Sequence, residues 1–356
     1  MQIKLQGGFR MVIDDMQDNR EERTVYPPRV LREWLDRNSL ADLYENLKRK
    51  VWGQDEELKK AAIMIYGFIS AMAGNAFDKK FHFMIEGSSG CGKSTFAYAL
   101  QEILPCPVLV WDSSSITPAG YKGQNISELL QSEELERFYG CGIIFADEIC
   151  KLMTPTYSSE GNFHLEALHS FLKLMDGGVL QLKDGTSFPC NKLMIIGAGA
   201  FTPLRQQEMP VMRRSIGFGA DRLSEALGGS ERLPERRITK EEMAKFCGSE
   251  QFIGRFLTVL HFKKLGKEVF NKILWQTEAD IRQVYGCGFS LPREERLRLV
   301  DLAMATDFGA RGIKSAVWEA FLANPEEWDI MKKPALYPHI NLDAYFEENI
   351  ERIMSA

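Results

Sequence analysis

The stretch Gly87 to Ser94 reads GSSGCGKS and meets every fixed position of the phosphate-cradling pattern G-x-x-x-x-G-K-[ST]. Gly87, Gly90 and Gly92 let the backbone turn tightly, with Ser88, Ser89 and Cys91 in the variable places. Successive N–H groups of such a loop, continuing to Thr95, point inward at one anion, and the helix behind them adds its positive end. Lys93 is placed to reach the β- and γ-phosphates of a nucleoside triphosphate, and the Ser94 hydroxyl to hold Mg²⁺. A second chemical pair, Asp147-Glu148, closes the apolar run Ile143 to Ala146. A buried strand there would deliver Asp147 to the Mg²⁺ shell and Glu148 to the attacking water. Asp-Glu after an apolar run is common at strand ends; behind a phosphate loop it points to hydrolysis.

These residues need particular elements around them. Phe81 to Ile85 reads as a buried strand and Thr95 to Leu100 as the first turns of a helix, the flanks that separate a phosphate loop from a Gly/Ser-rich surface turn. Upstream, Val30 to Lys48 has a helical period and leads to Val51-Trp52-Gly53-Gln54 and a further helix through Leu58, Ala62, Ile65 and Phe68. In isolation that stretch is only a turn before a helix; roughly 35 residues before a phosphate loop, Val51, Gly53 and Gln54 are expected to fold against the adenine. Val108 to Asp112, Ile143 to Ala146 and Leu193 to Gly197 read as strands, His164 to Met175 as a helix, and Val179 to Phe188 as a hairpin around Asp184-Gly185. Alternating strands and helices imply a parallel sheet covered on both faces. Arg205 to about Arg237 is polar and Gly-rich, and Lys264 to Pro325 is a separate, mostly helical segment.

At 356 residues, 45% hydrophobic and 26% charged, the chain has the composition of an ordinary globular protein with two domains. No apolar run approaches the roughly 18 residues that would span a membrane. The start, MQIKLQGGFRMVIDD, has neither the pattern of a signal peptide nor that of a transit peptide. A net charge of −5 argues against a general nucleic-acid binder. Seven scattered cysteines without a C-x-x-C pair suggest reduced thiols, a cytoplasmic setting and no zinc site.

Taken in order, the motifs resemble the ClpX family of AAA+ protein unfoldases over about Val30 to Pro325. They are VWGQ (Val51 to Gln54), GSSGCGKS, AGYKGQ (Ala119 to Gln124), IIFADE (Ile143 to Glu148) and IIGAGAF ending at Phe201. IGFGA (Ile216 to Ala220), EQFIGRF (Glu250 to Phe256) and GARGIKS (Gly309 to Ser315) follow. The related HslU unfoldases share the pore tyrosine but carry a large insertion after the Asp-Glu strand, where this chain has a short loop. The resemblance implies an α/β P-loop NTPase large domain, a parallel sheet between helices, followed by a smaller helical lid. On that reading residues 1–40 are an arm and first helix, 41–260 the large domain, 261–335 the lid and 336–356 a tail. It implies ATP and Mg²⁺ as cofactors and a cytoplasmic homo-hexamer that unfolds tagged or unfolded protein substrates for a ClpP-like peptidase. Arg255 is then an arginine finger for the neighbouring subunit's ATP, and Arg311 a lid residue sensing its own subunit's nucleotide. Tyr121, beside Lys122, grips polypeptide in the pore, and Ile216, Gly217 and Phe218 dock the peptidase.

The departures bear on the function. The family's N-terminal zinc-binding domain has no counterpart in these residues, and a long basic pore loop is cut to the Lys183–Ser187 turn. Lys122 stands where an apolar residue is usual, and no Asn, Ser or Thr near Gly197 to Gly199 supplies the usual polar sensor. Two other readings stay open: a remodelling chaperone without a protease, and a nucleic-acid-handling AAA+ motor.

Overall fold

The computed structural model describes residues 3–4, 10–11, 27–116, 126–154, 163–182, 185–206, 237–306 and 308–328. Near the start, β1 (Ile3–Lys4) and β2 (Arg10–Met11) form a short antiparallel pair. The helical period beginning at Val30 is divided between α1 (Pro27–Leu35) and α2 (Leu40–Lys50). The break has a local cause. Ser39 caps α2 through a reciprocal box with Asp42, and Asn38 Nδ2 donates to the last turn of α1 at Trp34 O, 2.9 Å. Helix α3 (Asp55–Ala73) then brings Leu58, Ile65 and Phe68 to the core.

The sheet strands are β3 (Phe83–Gly87), β4 (Val108–Asp112), β5 (Gly142–Asp147), β8 (Leu193–Gly199) and β9 (Thr258–Phe262). All pairings are parallel, in the order β4-β5-β8-β3-β9. The three central strands are almost wholly buried, which is why they read as unbroken apolar runs rather than alternations. Side chains still alternate between two cores. Ile85, Phe145 and Ile196 join Phe68 and Phe96 on one face; Met84, Ile144 and Ile195 join Phe171 and Phe252 on the other. Helix α4 (Lys93–Ile103) follows the phosphate loop and α8 (Phe163–Met175) covers the second face; between them lie the short helices α5 (Ile126–Leu129), α6 (Glu133–Arg137) and α7 (Ile149–Leu152). The hairpin is present as β6 (Val179–Gln181) and β7 (Ser187–Pro189), with Gly185 at φ 81° in its turn. After β8 comes α9 (Thr202–Gln206).

Two differences from the sequence reading stand out. β3 runs to Gly87 rather than stopping at Ile85, because β9 pairs with it as far as Phe262 opposite Gly87. β9 itself, together with the helices Lys240–Cys247 and Glu250–Gly254, has no counterpart in the sequence reading.

The chain divides into two compact units at Lys264 and Leu265. In the second, helices Lys267–Tyr285, Arg293–Ala305 and Gly309–Ala323 pack around Tyr285, Phe289, Trp318, Phe321 and Trp328, with ring centroids as close as 4.9 Å. Buried Glu278 accepts from Arg296 at 3.0 and 2.9 Å and from Leu291 N at 2.9 Å, so its charge is paired. All seven cysteines are buried and none is in a disulfide, and burial pushes the Cys141 and Cys190 thiols up to about 12. Among the described residues no cluster of metal-ligating side chains occurs, and no helix is long and apolar enough to cross a membrane.

Candidate nucleotide site

Each glycine of the phosphate loop answers a specific constraint. A Cβ on Gly87 would lie 2.6 Å from Phe262 O and 2.7 Å from Cys91 Sγ, so β9 excludes any side chain there. Gly90 and Gly92 stand at φ 70° and 108°, where L-residues are strained, and Gly92 caps α4. Buried Lys93 aims Nζ into the loop, donating to Gly87 O at 2.7 Å and Ser88 O at 2.9 Å. Ser88, Ser89 and Gly90 form the outer turn, while Cys91 is buried beneath it and Thr95 is exposed in the first turn of α4.

The parallel order sets β8 between β3 and β5, so the phosphate loop and the end of β5 both lie at the C-terminal edge of the sheet, the edge where α/β folds bind ligands. Ser94 Oγ donates to Asp147 Oδ2 there at 3.2 Å. That contact joins an alcohol and a carboxylate, a hard oxygen pair suited to Mg²⁺. Asp147 Oδ1 accepts the Glu148 N–H at 2.9 Å. Glu148 sits at φ 53°, ψ 32°, a left-handed conformation unusual for its type, and caps α7. Its half-exposed carboxylate has Lys151 Nζ and Cys150 Sγ each 4.0 Å away. The end of β8 leaves no room for a polar sensor. A Cβ on Gly197 would meet Ile149 at 2.8 Å, and one on Gly199 would meet Phe201 at 2.9 Å.

The turn before α3 braces the loop from behind. Val51 is buried with Cγ1 3.6 Å from the Cβ position of Gly92, and Gly53 takes φ 81°. Gln54 Nε2 donates to Cys91 O at 3.0 Å and Lys263 O at 2.8 Å, while its Oε1 accepts from Lys263 N at 2.9 Å. The Gln54 side chain is thus a three-point tie between the phosphate loop and the end of β9. Its neighbour in this brace, unread in the sequence, is Glu86, fully buried and paired to both Arg205 and His261. The one available signal was an acid in the otherwise apolar run Phe83 to Glu86.

Arg255 lies at the other edge of the sheet. It precedes β9, whose N-terminal end is paired with the start of β3, so a strand of about 16 Å separates it from its own phosphate loop. There Asp176 Oδ1 accepts from Arg255 Nε at 2.5 Å and Oδ2 from Nη2 at 3.1 Å. The pairing lowers the Asp176 pKa and raises that of Arg255. Arg311, exposed near the start of its helix, lines a cavity of about 500 Å³ in the second unit with Phe308, Ser315 and Glu319. Tyr121 and Lys122, and likewise Ile216, Gly217 and Phe218, lie outside the described residues.

Residues 83–215 match the family model described as "ATPase family associated with various cellular activities (AAA)". Across most of the chain there is a more distant likeness to proteins named "ATP-dependent Clp protease ATP-binding subunit ClpX". The protein of that name from Borrelia duttonii is 24% identical over 349 residues, covering 87% of this chain and 76% of the relative. That from Porphyromonas gingivalis is 23% identical over 350 residues, with coverage of 86% and 84%. That from Bacteroides fragilis is 24% identical over 307 residues, with coverage of 76% and 72%.

Proposed function

We propose that this chain, which carries an AAA ATPase domain, works as a ring-forming, ClpX-like protein unfoldase that uses ATP and Mg²⁺ to draw polypeptide through a central pore toward a ClpP-type peptidase. AAA ATPases bind ATP with Mg²⁺, and the domain implies ATP hydrolysis. The observation that carries the ring is the place of Arg255, a strand's length from its own Lys93. A guanidinium on that edge can serve a nucleotide only in a neighbouring copy. In the proposed cycle the loop amides and Lys93 hold the phosphates; Ser94 and Asp147 would hold Mg²⁺, which would supply positive charge beside the transferring phosphoryl group. Glu148 orients the attacking water and takes up its proton. The neighbour's Arg255 stabilises the transition-state charge, and Arg311 reads the nucleotide from the lid. Tyr121 with Lys122 grips the substrate, and Ile216, Gly217 and Phe218 dock the peptidase, which would make the working assembly a homo-hexamer bound to a second ring.

The distant relatives, named as ATP-binding subunits of a Clp protease, support a protein substrate. The net charge of −5 speaks against a nucleic-acid track. The test is degradation of a folded fluorescent reporter by the purified protein, ATP and a ClpP-type peptidase from the same source. ATP-dependent loss of the folded signal together with peptide release is expected. Unfolding without peptide release would move the function to a remodelling chaperone, and neither activity in the presence of brisk ATP hydrolysis would overturn the unfoldase reading.

A further inference from the structure

Asp176 and Arg255 are 79 residues apart in sequence, yet they meet in a two-point pair whose side chains are 49% and 40% exposed. An exposed ion pair adds little stability in water, so the fold does not need this one. Its geometry matters more. An arginine offers five N–H groups in a rigid planar fork. Asp176 occupies the side formed by Nε and Nη2, and Gln251 O accepts from Nη1 at a long 3.4 Å. Among the described residues nothing else bonds the guanidinium, which leaves one hydrogen on each terminal nitrogen for an outside anion. A carboxylate gripping the side of the fork presents its end, the arrangement suited to two-point contact with a phosphate.

The supports behind both residues are firm. Buried His82 accepts the Ile195 N–H on Nδ1 at 2.9 Å, so Nε2 carries the proton and donates to Met175 O at 3.0 Å. The His82 carbonyl accepts Leu257 N–H at 2.8 Å. One residue therefore fixes the positions adjoining Asp176 on one side and following Arg255 on the other. Gly177, at φ 74°, tucks under Lys80 Nζ, which a Cβ there would approach to 2.5 Å.

The geometry points to Asp176 as the positioning residue for Arg255, holding the guanidinium side-on so that its free end meets the terminal phosphate in the neighbouring copy. This rests on the reading of Arg255 as a finger acting across a ring interface. Asp176 touches no reacting atom; it acts only through the arginine.

The test is ATPase kinetics on the full chain, with nucleotide affinity and assembly mass measured alongside. Asp176→Asn keeps size and removes charge; kcat should fall about tenfold, since small misplacements of a catalytic group are costly. KM and nucleotide affinity should stay within about twofold of the parent, because only a transition-state interaction is lost. Asp176→Glu, which restores the carboxylate, should recover part of the rate. In an Arg255→Ala background, Asp176→Asn should change nothing further, a coupling that a merely structural role would not produce. Unchanged or faster turnover in Asp176→Asn would overturn the proposal, and so would an equal additional loss in the Arg255→Ala background. The finger reading is judged separately, by Arg255→Ala alone: turnover at the parent rate there would sink it whatever Asp176 does.

Discussion

Asp147 and Glu148 are adjacent carboxylates held in opposite ways, and the difference fits the separate roles proposed for them. Both oxygens of Asp147 are engaged, one by Ser94 Oγ and one by the Glu148 N–H, so its orientation is fixed as a metal ligand requires. Among the described residues the Glu148 carboxylate is paired only at 4.0 Å, with Lys151 Nζ and Cys150 Sγ, and it is half exposed, open to a water. Glu148→Gln keeps the shape and loses the base. Nucleotide binding should persist while hydrolysis falls about a hundredfold or more. A steady-state rate within about threefold of the parent, with titrated affinity unchanged, would remove Glu148 from the role of base.

At the scale of elements, β9 organises the site more than any motif does. Its end residues hold three points in succession: His261 pairs with Glu86, Phe262 lies against Gly87, and the Lys263 backbone is tied to Gln54. None of this was legible in the sequence. Thr258 to Phe262 is a short edge strand that is partly exposed, and its partners lie far upstream, Glu86 being 175 residues away. Buried strands such as that read at Leu193 to Gly197 and the phosphate loop are local patterns, so they were legible; Asp176–Arg255 and His82–Ile195 exist only once the sheet has formed. His82 makes a test of that long-range order. Burial holds its pKa down at about 4 against 6.5, even though the Met175 carbonyl and Asp176 favour its charged form. The unfolded chain takes up the proton as pH falls below 6.5, while the folded chain resists it until about 4. The stability owed to neutral His82 is complete above that upper value and is lost toward the lower one, about 3 kcal/mol in all. Urea denaturation at both ends of this range should show a loss in the parent that is smaller by about that amount in His82→Gln. Equal losses in the two proteins would show that His82 titrates normally.

Across the whole molecule, the proposed function puts both halves of a composite chemistry in the first unit, a phosphate loop on one edge of its sheet and Arg255 on the other. A single copy displays the parts without bringing them together. Backbone stability alone does not favour a glutamate at position 148. At φ 53° a residue with a Cβ pays about 1–2 kcal/mol that glycine does not. Glu148→Gly should then raise the midpoint of thermal unfolding by a few degrees while abolishing hydrolysis. A midpoint lowered by several degrees would show that no such strain is held there. The more durable molecule would be the idle one, so the turnover proposed for this chain and its thermostability would pull position 148 in opposite directions.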